Sequence, residues 1–102
     1  MKFELNTYLP QIRQLCEAHK VGRLYVFGSA LTERFTDDSD VDMIVDFNKE
    51  AIADLFITYF DFKYSLEDLF NRKVDLLEEQ PIRNPYLKKS IDNSKVLIYD
   101  AR

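Results

Sequence analysis

The chain has 102 residues, of which 46% are hydrophobic and 31% charged, and its formal net charge is −4. This size and composition predict one globular domain over residues 1–102 and exclude a disordered chain. The negative charge argues against direct binding to nucleic acid, which requires lysine and arginine to neutralise phosphates. A single nucleotide stays possible, because metal ions and backbone N–H groups can meet its charge.

The sequence also predicts a cytoplasmic protein. Cys16 is the single cysteine, so no internal disulfide can form, and we expect it to pack as a small apolar residue. The N-terminus lacks the apolar run of a signal peptide. No stretch reaches the roughly 18 apolar residues that span a bilayer, so no membrane contact is expected.

The first half of the chain predicts a helix followed by a strand, a short helix and a second strand. Asn6 or Thr7 can cap the first helix, which should end near Lys20 with Gly22 as its stop. Pro10 is tolerated only in the first turn of a helix. The further elements are expected over residues 24–27, 30–35 and 40–47.

Residues 40–47 alternate between apolar and acidic positions, which is typical of a strand with one core face. Two sets of side chains should point in opposite directions. The core set is Val41, Met43, Val45 and Phe47, and the opposite set is Asp40, Asp42, Ile44 and Asp46.

The second half predicts two helices within residues 48–72, a strand over 74–77, a helix over 84–93 and a last strand over 96–99. The order α-β-α-β-α-α-β-α-β favours an α/β fold, a small mixed sheet with flanking helices. Aromatic residues are dense between Phe56 and Tyr64. We expect most of them in the core, and any that are exposed together would form a partner surface.

Asp40 and Asp42 are the first candidate metal ligands. Two residues apart on a strand, they share a face. At a separation of about 4 Å and an effective dielectric constant near 20, two carboxylates repel by about 4 kcal/mol. A divalent cation removes this cost, and oxygen ligands suit Mg²⁺ or Mn²⁺. The alternative is a pair of solvated acids at the start of a strand.

The Gly28-Ser29 turn precedes this pair, and a third acid, Asp75, lies in a later apolar strand. Gly28 allows a ligand to approach the backbone. The Ser29 hydroxyl and the N–H groups of a following helix can bind a phosphate. The turn alone would also fit an ordinary serine cap. Three acids and a phosphate turn favour phosphoryl or nucleotidyl transfer with two metal ions, in which Asp75 could help deprotonate the nucleophile.

These motifs carry a family resemblance. Gly28-Ser29, ten residues, Asp40-x-Asp42 and a later Val74-Asp75-Leu76 resemble the DNA polymerase β-type nucleotidyltransferase superfamily. The ending over residues 95–99, Lys-Val-Leu-Ile-Tyr, resembles its minimal nucleotidyltransferase (MNT) branch. The resemblance implies ATP as substrate and Mg²⁺ as cofactor, with two ions and Mn²⁺ as a substitute. It implies that Gly28 and Ser29 bind the phosphates and that Asp40, Asp42 and Asp75 form the catalytic, metal-binding set.

The resemblance also implies a partner. Members of this branch often act as antitoxins beside a HEPN-type RNase toxin, to which they transfer AMP from ATP at a tyrosine, so a hetero-oligomer is one expected assembly. The branch usually reads Gly-Ser-x-Ala-Arg-Gly, whereas this chain has Thr32 and Glu33 in place of the arginine and glycine, with Arg34 adjacent. Two alternatives stay open: a non-catalytic antitoxin that acts by contact, and nucleotidyl transfer to a small molecule such as an aminoglycoside.

Three other polar residues are expected to lie outside the site. His19, the only histidine, should have a solvated or capping role at the end of the first helix. Asp46 lies too far along its strand to be a ligand. Lys73 is expected at a solvated strand edge, with a phosphate contact as the alternative.

Overall fold

The computed structural model describes residues 5–28, 39–78 and 95–101. Its elements are α1 (Leu5–Ala18), β1 (Val21–Phe27), β2 (Val41–Phe47), α2 (Leu55–Phe70), β3 (Val74–Glu78) and β4 (Val96–Asp100), with a 3₁₀ turn at Lys49–Ala51. The helices predicted over 30–35 and 84–93 lie outside the described residues.

The four described strands form one mixed sheet in the order β3-β2-β1-β4. β1 is antiparallel to β2 and to β4, whereas β2 and β3 are parallel. The carboxyl end of β1 therefore meets the amino ends of the other three strands at the same end of the sheet. This arrangement confirms the predicted α/β class.

Both described helices pack against one face of the sheet. The alternation predicted for β2 is confirmed, since Val41, Met43 and Val45 are 0% exposed and lie in the core. Ile12 and Cys16 of α1 and three apolar residues of α2 join them in one cluster. Cys16 is thus a core residue, as predicted, and burial raises the pKa of its thiol to about 12.

α2 is one continuous helix, and the prediction of two helices over residues 48–72 is wrong. Asp54 caps its start by accepting a hydrogen bond from the Ile57 N–H at 3.1 Å, and Asn71 ends it with a left-handed φ of 54°. Phe62, Leu66 and Phe70 lie four residues apart and are all buried. The apolar stripe therefore continues without interruption, and no glycine or proline breaks it.

The bounds of α1 also differ from those predicted. The helix ends at Ala18, and Lys20, with a φ of 60°, makes the left-handed turn that was expected of Gly22. Gly22 lies within β1. Pro10 lies inside α1, beyond its first turn. Neither described helix has the length and apolar character needed to cross a membrane.

His19 links the two helices. Its Nδ1 lies 2.7 Å from the Leu15 carbonyl oxygen, and its Nε2 lies 2.5 Å from Oδ2 of Asp61 on α2. The side chain is 11% exposed, and its ring lies 5.4 Å from that of Phe62. The capping role predicted for His19 is confirmed, and the solvated role is wrong.

Candidate active site

Three strands bring acidic residues and a glycine together at one end of the sheet. Asp42 on β2 is paired with Asp75 on β3 and with Phe27 on β1. Gly28 directly follows Phe27, and Asp40 lies two residues before Asp42. We call the group of Gly28, Asp40, Asp42 and Asp75 the acid end. Since paired residues of neighbouring strands point to the same face, Asp42 and Asp75 are side by side.

Gly28 is the residue against which the Asp42 carboxylate packs. Its φ is +73°, a conformation that L side chains rarely adopt. A Cβ atom built at this position would overlap Oδ2 of Asp42. Both the backbone conformation and the close approach of the carboxylate therefore require glycine here.

The acid end crowds negative charge around Asp42. Burial raises the pKa of Asp42 above its ordinary value of 3.8, and the neighbouring charges of Asp75 and then Asp40 raise it further. Asp42 is half-buried, whereas Asp40 and Asp75 are exposed. A cation beside Asp42 would relieve this electrostatic cost.

The donor chemistry suits a hard divalent cation, because carboxylate oxygens are the ligands that Mg²⁺ and Mn²⁺ prefer. Asp42 and Asp75 are direct cross-strand neighbours and form the centre of such a set. Across residues 5–28, 39–78 and 95–101, however, no three histidine, cysteine or acidic side chains are gathered into one ligand group. The exposed Asp40 is close enough to raise the pKa of Asp42, but it does not complete a three-residue ligand group with Asp42 and Asp75.

Backbone and side-chain hydrogen bonds hold the start of β2 in place. The Arg72 guanidinium donates from Nη1 to the Ser39 carbonyl oxygen at 3.0 Å. The Val41 N–H donates to the Lys73 carbonyl oxygen at 3.0 Å. Asp40 therefore lies between two anchored residues. No sequence pattern indicated this role of Arg72, because its partner is a backbone atom 33 positions away.

Two residues of α2 hold β3 in the same way. Glu67 accepts a hydrogen bond from the Val74 N–H at 2.9 Å. The Tyr59 hydroxyl donates to the Leu76 carbonyl oxygen. These bonds flank Asp75 on both sides along the chain. Sequence reasoning assigned Tyr59 to the helical core and missed this contact, since a tyrosine at helical spacing does not disclose where its hydroxyl points.

The pKa of the Tyr59 hydroxyl also depends on a charge of the acid end. Burial raises the pKa of its hydroxyl, and the negative charges of Asp75 and then Glu78 add to the shift. The hydroxyl is therefore protonated at neutral pH and acts as a donor. It links the position of α2 to that of Asp75.

Of the five residues predicted from sequence, Gly28, Asp42 and Asp75 lie side by side, and Asp40 lies two residues before Asp42 without joining them in one ligand group. Ser29 lies outside the described residues. Asp46 is paired with Arg23 near the other end of β2, away from the acid end, as expected. Lys73 is exposed, in agreement with a solvated strand edge.

A cleft of about 810 Å³ lies at the end of the sheet opposite the acid end. Lys20, Asp46 and Lys49 line it together with the end of β4. Its charges are of both signs, and it contains none of the four residues of the acid end. The candidate chemistry and this cleft are therefore separate features of the described structure.

Comparison with known sequences identifies relatives that span most of the chain. The family model described as polymerase beta nucleotidyltransferase matches residues 10–102. A relative from Methanocaldococcus jannaschii, provisionally named a protein adenylyltransferase, is 34% identical over 82% of this chain and 83% of its own length. A second, with the same provisional name and organism, is 35% identical over 84% of this chain and 85% of its own length.

Solved structures agree on the fold. One described as a provisional minimal nucleotidyltransferase is 27% identical, with a TM-score of 0.74, and the match covers 94% of this chain and 95% of that one. A chain of a toxin–antitoxin crystal structure with AMP-PNP has a TM-score of 0.69 at 19% identity, covering 92% of this chain and 74% of that one. At that identity the second likeness shows the fold alone.

Proposed function

The chain belongs to the polymerase β nucleotidyltransferase family, and we propose that it transfers AMP from ATP to a protein hydroxyl with the help of divalent metal ions. The acceptor is a tyrosine of a partner protein, a HEPN-type RNase toxin that this chain neutralises as its antitoxin. One observation carries the catalytic part of the proposal: Asp42 is paired with Asp75 and packs against Gly28.

Asp42 and Asp75 would hold the metal ions, and Asp40 would complete the set. When bound, divalent cations supply charge neutralisation of the triphosphate and of the leaving pyrophosphate. Burial and then the neighbouring carboxylates raise the pKa of Asp42, and a cation at the acid end would relieve both costs. Gly28 and Ser29 would contact the phosphates through the backbone and the serine hydroxyl.

The chain's own contribution to the chemistry is positioning and proton transfer. The acceptor oxygen forms a bond to the α-phosphorus, and the bond to pyrophosphate breaks. Asp75, which is exposed, takes up the proton of the acceptor hydroxyl. The hydrogen bonds of Glu67 and Tyr59 to the backbone of β3 keep Asp75 beside Asp42.

The names of the relatives support the protein acceptor, and the names of the fold neighbours support the toxin partner. Two of the relatives carry provisional names as protein adenylyltransferases. One neighbour of the fold is described as a tri-AMPylated HEPN toxin from Shewanella oneidensis in complex with its MNT antitoxin, with a TM-score of 0.62 at 17% identity.

The test is an AMP mass shift on the partner. The protein is incubated with ATP and Mg²⁺, with and without a HEPN-type RNase toxin as the acceptor. We expect labelling of the toxin by the wild type and a loss of roughly 100- to 1000-fold in Asp42→Asn, the cost typical of removing one charge-stabilising group. Asp46→Asn is the matched control, because it removes an acid from the same strand but at its other end. Equal labelling by Asp42→Asn would overturn the proposal.

A contact-only antitoxin is the second candidate, and the surface of α2 favours it. Phe56, Ile57 and Tyr64 are 73%, 63% and 55% exposed. Phe60 lies between the two exposed rings, with centroid distances of 4.9 Å to Phe56 and 5.9 Å to Tyr64. Exposed aromatic patches of this kind mark protein interfaces.

The two candidates give different results in one inhibition assay. The contact-only candidate requires that Asp42→Asn still blocks the RNase without labelling it, while a Phe56→Ser/Tyr64→Ser variant fails to block it. The catalytic candidate requires that Asp42→Asn fails. Binding of the partner by each variant, measured in parallel, separates lost contact from lost transfer.

A further inference from the structure

We propose that Lys95 is a further nucleotide-binding residue, which contacts the phosphates that leave as pyrophosphate. This inference rests on the proposed function. It extends the nucleotide site to β4, which lies on the side of β1 opposite the acids. It follows from the register of β4 and from the position of the Lys95 ammonium group.

Register places Lys95 at the same end of the sheet as the acids. Val96, the first residue of β4, is paired with Val26 on β1. Lys95 precedes Val96, so its backbone lies beside Phe27 and next to Gly28. One row across the sheet therefore runs from Asp75 through Asp42 and Phe27 to Lys95.

The Lys95 ammonium also lies on the same face as Asp42. Its Nζ is 4.4 Å from the centroid of the Tyr25 ring. Tyr25 is paired with Ile44, and Phe27 is paired with Asp42, so these four side chains share one face. Strands are spaced about 4.8 Å apart, which puts the backbones of Lys95 and Asp42 roughly 10 Å apart, with Phe27 between them and Gly28 next to Phe27.

The resulting charge distribution suits a triphosphate bound to metal. The carboxylates lie on one side of Gly28 and would hold cations, whereas Lys95 lies on the other side with its ammonium over the Tyr25 ring. A lysine ammonium is a compact point charge that binds phosphate well. The Tyr25 ring attracts the ammonium and holds it over this face. The phosphates would lie across Gly28, between the metal ions and Lys95.

The experiment compares Lys95→Met with Lys95→Arg and with Lys49→Met. Lys49 lies in the turn after β2, at the opposite end of the sheet, and provides the matched loss of one lysine. Binding of a non-hydrolysable ATP analogue with Mg²⁺ is measured by calorimetry, and KM for ATP and kcat are measured in the transfer assay. Circular dichroism checks that each variant is folded.

We expect Lys95→Met to weaken binding of the analogue roughly 10- to 100-fold, the effect typical of losing a hydrogen bond to a charged group. KM for ATP should rise more than kcat falls. Lys95→Arg should recover most of the affinity, and Lys49→Met should bind as the wild type does.

The outcomes separate this inference from the proposed function. If the wild type binds the analogue and transfers AMP while Lys95→Met does both equally well, the role of Lys95 is wrong and the proposed function stands. If the wild type binds no ATP analogue, both fall. A kcat defect without a change in affinity would also overturn the inference, because it would assign Lys95 to another step.

Discussion

The two faces of the seven-residue strand β2 have opposite effects on stability. On the face that meets the helices, Val41, Met43 and Val45 are 0% exposed and stabilise the fold by apolar burial. On the other face Asp42 is half-buried beside two acids that raise its pKa, which costs stability whenever it is ionised. Variants on the face that meets the helices should mainly change folding, whereas variants on the other face should mainly change activity.

The largest effect is expected in the core, at Phe62 of α2. Its ring is fully buried and lies 5.9 Å from that of Phe47 on β2. Phe62→Ala should lower the free energy of unfolding by about 3–5 kcal/mol, because it leaves a cavity. Phe56→Ala, on the same helix but 73% exposed, should change it by no more than about 0.5 kcal/mol. Chemical denaturation measures both, and equal losses would contradict the described packing.

Gly28→Ala should damage the site more than the fold. The positive φ makes alanine unfavourable by about 1–2 kcal/mol. The new Cβ would also push the Asp42 carboxylate away, and a displacement near 1 Å can reduce the rate on the order of 100-fold. Transfer kinetics and denaturation are measured together.

Gly22→Ala is the control for Gly28, since its φ is not positive and an added Cβ would make its tight contact, 3.2 Å to the Asp46 carbonyl oxygen, away from the acid end. Its activity should stay close to that of the wild type. An active Gly28→Ala variant would show that the contact with Asp42 is dispensable.

Tyr59→Phe tests whether α2 on the helix-covered face of the sheet holds the strand that carries Asp75. The Tyr59 hydroxyl donates from α2 to the backbone carbonyl next to Asp75. Loss of this hydrogen bond should lower the free energy of unfolding by about 1 kcal/mol. Tyr64→Phe, where the side chain is 55% exposed, should leave it unchanged. If Tyr59→Phe is as stable as the wild type, the bond to Leu76 does not hold β3.

The smallest effect is a pH dependence of stability without metal. The pKa of Asp42 is higher in the folded state than its ordinary value of 3.8. Its favourable contribution is therefore complete below pH 3.8 and is lost as the pH rises through the folded-state pKa.

In EDTA, Asp42→Asn should therefore be more stable than the wild type at neutral pH, and the difference should shrink in acid. The denaturation midpoints of the two proteins at neutral pH and in acid measure this difference. Added Mg²⁺ should raise the midpoint of the wild type and leave that of Asp42→Asn unchanged. Equal midpoints at every pH would contradict the crowding of acids at Asp42.

Local patterns predicted most of the described fold. The alternation over residues 40–47 predicted both faces of β2, because side-chain direction in a strand depends only on sequence position. The acid within the apolar strand over residues 74–77 indicated Asp75 as a candidate third acid, which the register then places beside Asp42. The prediction of two helices was wrong because apolar residues occur on the exposed side of α2 as well as on its buried side. The sequence pattern therefore did not show which apolar residues form the buried stripe of one helix.

Other features of the site depend on contacts that are distant in sequence. Arg72 and Glu67 bind backbone atoms, and the Tyr59 hydroxyl does the same from another element. Every residue has a backbone N–H or carbonyl group, so a hydrogen bond to the backbone cannot be recognised from the type of the partner residue. The place of Lys95 likewise depends on the strand order, which puts β4 beside β1.

The most direct test of the account is to count the Mn²⁺ ions bound together with a non-hydrolysable ATP analogue, by electron paramagnetic resonance. We expect the wild type and Asp46→Asn to bind Mn²⁺ with the analogue and Asp42→Asn and Asp75→Asn to lose this binding. Binding of Mn²⁺ by Asp42→Asn to the same extent as by the wild type would contradict the claim that the acid end is a metal–nucleotide site.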